Sequence, residues 1–193
     1  MKRSQRWPLA AALCAAALAA QAEGVRTASM LANTCAGCHG TNGASAGEYM
    51  PSIAGMDSGY LYGVMSDYKS GARRSTIMGR IMKGYTEQEI HAIAGFYAAQ
   101  AWISTARTAA AKAVKKGQAI HEALCETCHD GAGRAQDDES PRLAGQWAGY
   151  TRYALDSCRI LGDRCNPRKM GERVKKLSNA EIDALASFYE SEK

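Results

Sequence analysis

Two stretches of the chain repeat one pattern of apolar and polar positions. Ile90, Ile93, Ala94 and Tyr97 fall at the i, i+3, i+4, i+7 spacing of an amphipathic helix, and Ile182, Leu185, Ala186 and Tyr189 do the same. Each stripe follows a capping-box pattern, Thr86 with Glu89 and Ser178 with Glu181. In that motif the hydroxyl accepts a backbone N–H while the glutamate reaches back to the cap, so both segments read as helix starts. Further helices are expected over residues 28–34 and 113–126, and a third pair over 59–69 and 149–159. No alternating run is long enough to make a strand, and the expected fold class is all-α.

The match between the halves extends beyond the helices. Pro51-Ser52-Ile53-Ala54-Gly55 corresponds to Pro141-Arg142-Leu143-Ala144-Gly145, and Gly59-Tyr60 to Gly149-Tyr150, at an offset of 90 residues. After a two-residue shift Met78-Gly79 pairs with Met170-Gly171, and Phe96-Tyr97 with Phe188-Tyr189. Self-similarity of this kind marks an internal duplication. The expected organisation is a first domain at 23–100, a linker at 101–112 that breaks both patterns, and a second domain at 113–193. Trp102 has no counterpart in the repeat and is expected to seat between the domains, because an exposed tryptophan is costly.

The start of the chain follows a different pattern. Basic residues Lys2, Arg3 and Arg6 precede an apolar run from Leu9 to Ala20, which ends in Ala20-Gln21-Ala22. This is the layout of a secretory signal, expected over 1–22 and cleaved after Ala22, giving a periplasmic product. The run is too short to span a bilayer as a mature helix. Cys14 follows Leu13 rather than a small residue, which argues against lipid anchoring. Losing Lys2, Arg3 and Arg6 takes the 24 basic side chains to 21, against 19 acidic ones. The mature surface is nearly neutral, no basic run interleaved with aromatics points to nucleic acid, and no membrane span is expected after Glu23.

Of the seven cysteines, one lies in the signal and four form two copies of C-x-x-C-H, at Cys35, Cys38 and His39 and at Cys125, Cys128 and His129. This spacing suits two thioether bonds to a haem, with the adjacent imidazole on the iron. A redox dithiol would need a βαβ context that neither copy has. Zinc is the closer rival, but the histidine directly after each second cysteine favours two covalently bound haem c groups. Four propionates would turn the net charge slightly acidic.

A pure electron carrier needs a second axial ligand, and methionine fills that role. Met170 is the only methionine of the second half, and the repeat register selects Met78 as its counterpart. Met82, one helical turn away, is the fallback for the first haem. His91 and His121 do not recur in the repeat and are expected on solvated helix faces. Pro51 and Pro141 each follow a motif histidine by 12 residues, so their carbonyls are candidates to orient the second imidazole nitrogen. Gly131-Ala132-Gly133 opens like a dinucleotide fingerprint, but Gln136 stands where the last glycine belongs, so it reads as a flexible loop. The remaining pair, Cys158 and Cys165, is expected to form a disulfide after export. Closing so short a loop contributes roughly 2–3 kcal/mol by chain entropy.

With these motifs in place the chain resembles the dihaem cytochrome subunit of flavocytochrome c sulfide dehydrogenase, within the wider cytochrome c4-like family. The likeness rests on Cys35 to Gly43, on Pro51 to Asp57, on Lys69-Ser70-Gly71 and on Ser75 to Ile81, with Leu143-Ala144-Gly145-Gln146-Trp147 and Tyr150 in the second half. Met56 departs from the glutamine common in the wider group, and the Cys158–Cys165 segment is foreign to that subunit. The resemblance implies two class I cytochrome c domains about a pseudo-twofold axis, with haems near their interface. It implies an FAD-binding sulfide dehydrogenase flavoprotein subunit as electron donor and a soluble acceptor such as a small cytochrome, with no bond chemistry on this chain. The alternatives are a free-standing c4-type carrier to a terminal oxidase and a dihaem peroxidase. A peroxidase needs an open iron position, which Met78 and Met170 would close.

Overall fold

The computed structural model describes residues 26–105 and 107–193; the secretory segment expected at 1–22, Cys14 included, lies outside the described residues. The first half runs through α1 (Ala28–Asn33), α2 (Ala36–His39), α3 (Ser58–Ser70), α4 (Met78–Ile81) and α5 (Glu87–Ala98). The second repeats the order with α6 (Ala111–Leu124), α7 (Asp130–Gly133), α8 (Ala148–Leu161), α9 (Arg168–Val174) and α10 (Asn179–Ser191). Among the described residues there is no strand, so the fold is all-α.

Local chemistry sets the helix ends. The Thr27 hydroxyl caps α1 by accepting from Met30 N, and Asp57 Oδ1 caps α3 by accepting from Tyr60 N at 2.9 Å. Both expected capping boxes form. Glu89 N donates to Thr86 Oγ1 at 3.2 Å and Thr86 N to Glu89 Oε2 at 2.8 Å, while Ser178 N donates to Glu181 Oε2 at 2.8 Å. Helix α3 stops at Gly71, whose φ of +85° provides a left-handed cap that a side chain would strain.

Each half closes its own core. In the first, α5 packs on α1 and α3 through Ile93, Ala94 and Tyr97 against Leu31, Ala32 and Leu61. In the second, α10 packs on α6 and α8 through Ile182, Leu185, Phe188 and Tyr189. Gly117 lets α6 and α10 approach closely, since a Cβ there would stand 2.6 Å from Phe188 Cβ.

The segment between the halves is pinned to both. Trp102 packs on the first core, while Arg142 of the second half lies over its ring at 5.3 Å. Gly55, at φ +64°, lies so close to the segment that a Cβ there would be 2.9 Å from Trp102 N. Thr105 N donates to Gly145 O at 2.9 Å, and Ser104 Oγ donates to Glu192 O at 2.8 Å.

Across the interface, Gln146 pairs with the Ser52 backbone in both directions. Ser52 N donates to Gln146 Oε1 at 3.0 Å and Gln146 Nε2 donates to Ser52 O at 2.9 Å. Trp147 Nε1 donates to Ser45 O at 3.0 Å, and Gln136 Nε2 donates to Gly55 O at 2.8 Å. Gln146 is only 2% exposed, so no water can replace its amide. Replacing Gln146 with leucine strands a buried N–H and a buried C=O together. The haem-loaded variant should lose about 2–3 kcal/mol, read as a shift of the urea midpoint.

Candidate haem sites

The two C-x-x-C-H stretches fold into the same turn. His39 N donates to Cys35 O at 2.9 Å and Cys38 N to Cys35 O at 3.1 Å; His129 N and Cys128 N donate to Cys125 O at the same distances. The turn brings the two cysteines and the histidine of each copy within a single turn of chain. Cys38 and Cys128 are exposed, and Cys35 and Cys125 are half-buried with thiols pushed up by burial.

Beyond the histidines the copies diverge. His39 ends α2 in helical geometry, whereas His129 adopts φ −120° and ψ 57° and is followed by Gly131 and Ala132 at φ +62° and +61°. Gly131 to Gly133 is therefore a tight, defined turn, not the flexible loop expected. Its Gly133 carbonyl accepts from Leu143 N and Ala144 N at 2.8 and 2.9 Å, just as the Gly43 carbonyl accepts from Ile53 N and Ala54 N. These bonds anchor the Pro51 and Pro141 segments beside the motif histidines.

The imidazoles suit iron. His39 is buried, which holds it below its ordinary pKa, while the Pro51 carbonyl opposes that shift by accepting from Nδ1 at 2.9 Å. With Nδ1 occupied, the neutral ring has Nε2 left to donate. Burial lowers His129 as well, with the Pro141 carbonyl raising it and His121 lowering it further. Its Nδ1 is buried without a hydrogen bond of good geometry, so the Pro51 arrangement is reproduced only loosely in the second half.

Met78 opens α4 and Met170 lies in α9; both are half-buried and each precedes a glycine held against the preceding helix end. Met82 is 1% exposed in the 3-10 turn Met82–Gly84. Its counterpart in the shifted register of the repeat, Val174, is a buried core residue, and Met82 packs like one. Cys158 and Cys165 are joined in a disulfide.

His121 corrects the expectation of a solvated face. It is 1% exposed on α6, one turn before Cys125; Nδ1 lies 2.8 Å from Tyr189 Oη and Nε2 pairs with Glu126. His91 is exposed and lies beside the Tyr62 ring. Arg73 belongs to none of the sequence motifs, yet the structure sets it among Tyr60, Tyr68 and Tyr150. Burial pushes Tyr60 and Tyr150 up, and Arg73 bonds to Tyr68 while the nearby phenols favour its charge. A guanidinium among phenols is a natural partner for carboxylates. The matched Gly59-Tyr60 and Gly149-Tyr150 pairs are the signal in the sequence that points to this cluster.

Two such turns, each set on a closed helical half, define a dihaem c-type cytochrome. The model of the family described as "Cytochrome c" matches residues 25–98, and that described as "Cytochrome C oxidase, cbb3-type, subunit III" matches 112–188. The chain is 32% identical to the thiosulfate dehydrogenase electron acceptor of Stutzerimonas stutzeri, over 97% of this chain and 95% of that protein. It is 48% identical to the cytochrome subunit of sulfide dehydrogenase of Chlorobaculum tepidum, over 35% of this chain and 61% of that protein. The crystal structure of reduced recombinant cytochrome c4 from Pseudomonas stutzeri superposes with a TM-score of 0.76 at 26% identity, covering 86% of this chain and 98% of that one. The chain belongs to the cytochrome c4-like family of dihaem electron-transfer proteins. It carries two covalent haem c groups and transfers electrons in the periplasm, where the disulfide is at home.

The His121–Tyr189 contact supports the helix that enters the second motif. Tyr189→Phe leaves a buried imidazole nitrogen without its partner. Stability should fall by about 1–3 kcal/mol, measured by chemical denaturation of the holoprotein.

Proposed function

We propose that the chain is the dihaem electron-transfer subunit of a sulfide-oxidising flavocytochrome c, taking electrons from an FAD-binding partner subunit and passing them to a soluble acceptor such as a small cytochrome. The observation that carries this reading is the 48% identity over 68 residues to the cytochrome subunit of a sulfide dehydrogenase. Each haem, when bound, supplies a one-electron ferric/ferrous couple. The chain's own part is to hold two such couples at fixed positions and to close their irons. Cys35, Cys38, Cys125 and Cys128 would attach the groups through thioethers, and His39 with Met78 and His129 with Met170 would bind the two irons. Pro51 orients His39, and Pro141 is its counterpart beside His129. Residues 1–22 direct export, with the mature chain starting at Glu23 and its two haem units, 23–100 and 113–193, joined through 101–112.

A second donor has its own support. The likeness to a thiosulfate dehydrogenase electron acceptor spans nearly the whole of both chains. Rapid-mixing reduction separates the two: the oxidised dihaem protein is mixed with an FAD-binding sulfide dehydrogenase and sulfide, or with a thiosulfate dehydrogenase and thiosulfate. Fast haem reduction in the first mixture, together with a flavoprotein that copurifies with the chain from its source, is the expected result. Reduction only in the second would move the chain to thiosulfate.

The ligand assignment is tested separately. Met170→Ala should remove about half of the ferric methionine-to-iron charge-transfer band, because one of the two irons loses its thioether. The wild-type ferric protein should show no high-spin haem, as closed irons require.

A further inference from the structure

The Cys158–Cys165 disulfide interrupts the repeat, and it stands where the first half holds its axial-methionine segment by a different means. At the offset of 90 residues Cys158 matches Tyr68 and Cys165 matches Ser75. In the first half Gly79, directly after Met78, donates its N–H to Ser75 Oγ at 2.7 Å. A Cβ on Gly79 would lie 3.2 Å from Ser75 Oγ and 3.3 Å from Tyr68 O, so the glycine backbone is seated against both. Gly171, directly after Met170, is seated the same way in the second half. A Cβ there would run into the Gly162 carbonyl and lie 3.0 Å from Cys165 Cβ. The Cys165 side chain has no oxygen for the Gly171 amide, so the side-chain hydrogen bond that Ser75 makes has no equivalent from Cys165.

A covalent link takes its place. Cys158 sits near the end of α8, and Cys165 follows the 3-10 turn Gly162–Arg164, its N–H donating to Gly162 O at 3.0 Å. Both cysteines are nearly inaccessible, at 5% and 7%, and belong to the core against which Met170 packs. The link therefore fixes the 162–165 turn onto α8, and that turn is the surface on which Gly171 rests.

We propose that the Cys158–Cys165 disulfide is a positioning element for Met170, holding the thioether on the second haem iron as the Ser75–Gly79 hydrogen bond holds Met78 on the first. The proposal rests on Met78 and Met170 being the axial ligands. Without the link the 162–171 segment can move away from α8, and Met170 exchanges on and off the iron. The effect is local to the haem on Cys125 and Cys128.

The test uses the full holoprotein with Cys158→Ala and Cys165→Ala together, Ser75→Ala alone and Met170→Ala alone; alanine is chosen because a serine at 165 would supply the hydroxyl that Ser75 offers Gly79. It reads the ferric charge-transfer band and the binding of added imidazole, an external iron ligand. The double alanine variant should lose up to about half of the band and bind imidazole at one haem about tenfold more tightly than wild type, as a loosened sixth ligand competes less well. Ser75→Ala should loosen the other haem and leave the second unchanged. If Met170→Ala halves the band while the double alanine variant keeps the full band and wild-type imidazole affinity, the positioning role is overturned and the ligand assignment survives. If Met170→Ala leaves the band intact, the ligand assignment itself fails and the proposal falls with it. Loss of the band at both haems in the double alanine variant also overturns it, since that marks a general role in folding. The first haem thus serves as the internal control for an intact fold.

Discussion

Everything in each half hangs on the packing of the closing helix against the helix that runs into the Cys-x-x-Cys-His turn. That turn is too short to hold itself, and its histidine is useful only if the helix before it is fixed. The halves solve this with the same tyrosine used differently. Tyr97 Oη donates to the Ala32 carbonyl at 2.7 Å, three residues before Cys35. Tyr189 Oη meets the His121 ring, four residues before Cys125. The second solution buries a larger polar group, and Gly117 allows the tighter helix approach that seals it.

Across the interface between the halves, side chains of the second half bind backbone groups of the first. Gln146 and Trp147 satisfy Ser52 and Ser45, and Gln136 reaches the Gly55 carbonyl. Most of these partners lie in the loops that follow the haem motifs. The contacts that join the halves therefore also hold the loops carrying Pro51 and Pro141, so that assembly and the hold of Pro51 on His39 share one set of bonds. Buried polar pairs of this kind are costly to break, which favours a single relative placement.

The major helices are legible in the sequence because they are long enough to show a period and carry explicit caps. Thr86 with Glu89 and Ser178 with Glu181 mark the starts of α5 and α10 from residue types and spacing alone. The duplication adds what local pattern cannot, by setting Met82 opposite Val174, and both are buried as core residues. What stays hidden depends on partners distant in the chain. His121 reads as a solvated residue because Tyr189, 68 positions away, is not visible from its neighbourhood. Helices α4 and α9 are too short for a period to register. The turn at Gly131–Gly133 uses left-handed φ at Ala132, a conformation alanine rarely takes and sequence cannot announce.

The connector between the halves behaves as masonry rather than as a tether. Gly55 in one half and Gly145 in the other are each pressed against it, Gly55 by Trp102 and Gly145 by Ser104 and Thr105. A joint mortared at both ends resists hinge motion, so the spacing between the two haem motifs is set by the chain's own contacts. Duplication here produced two sites in one block rather than two carriers on a string.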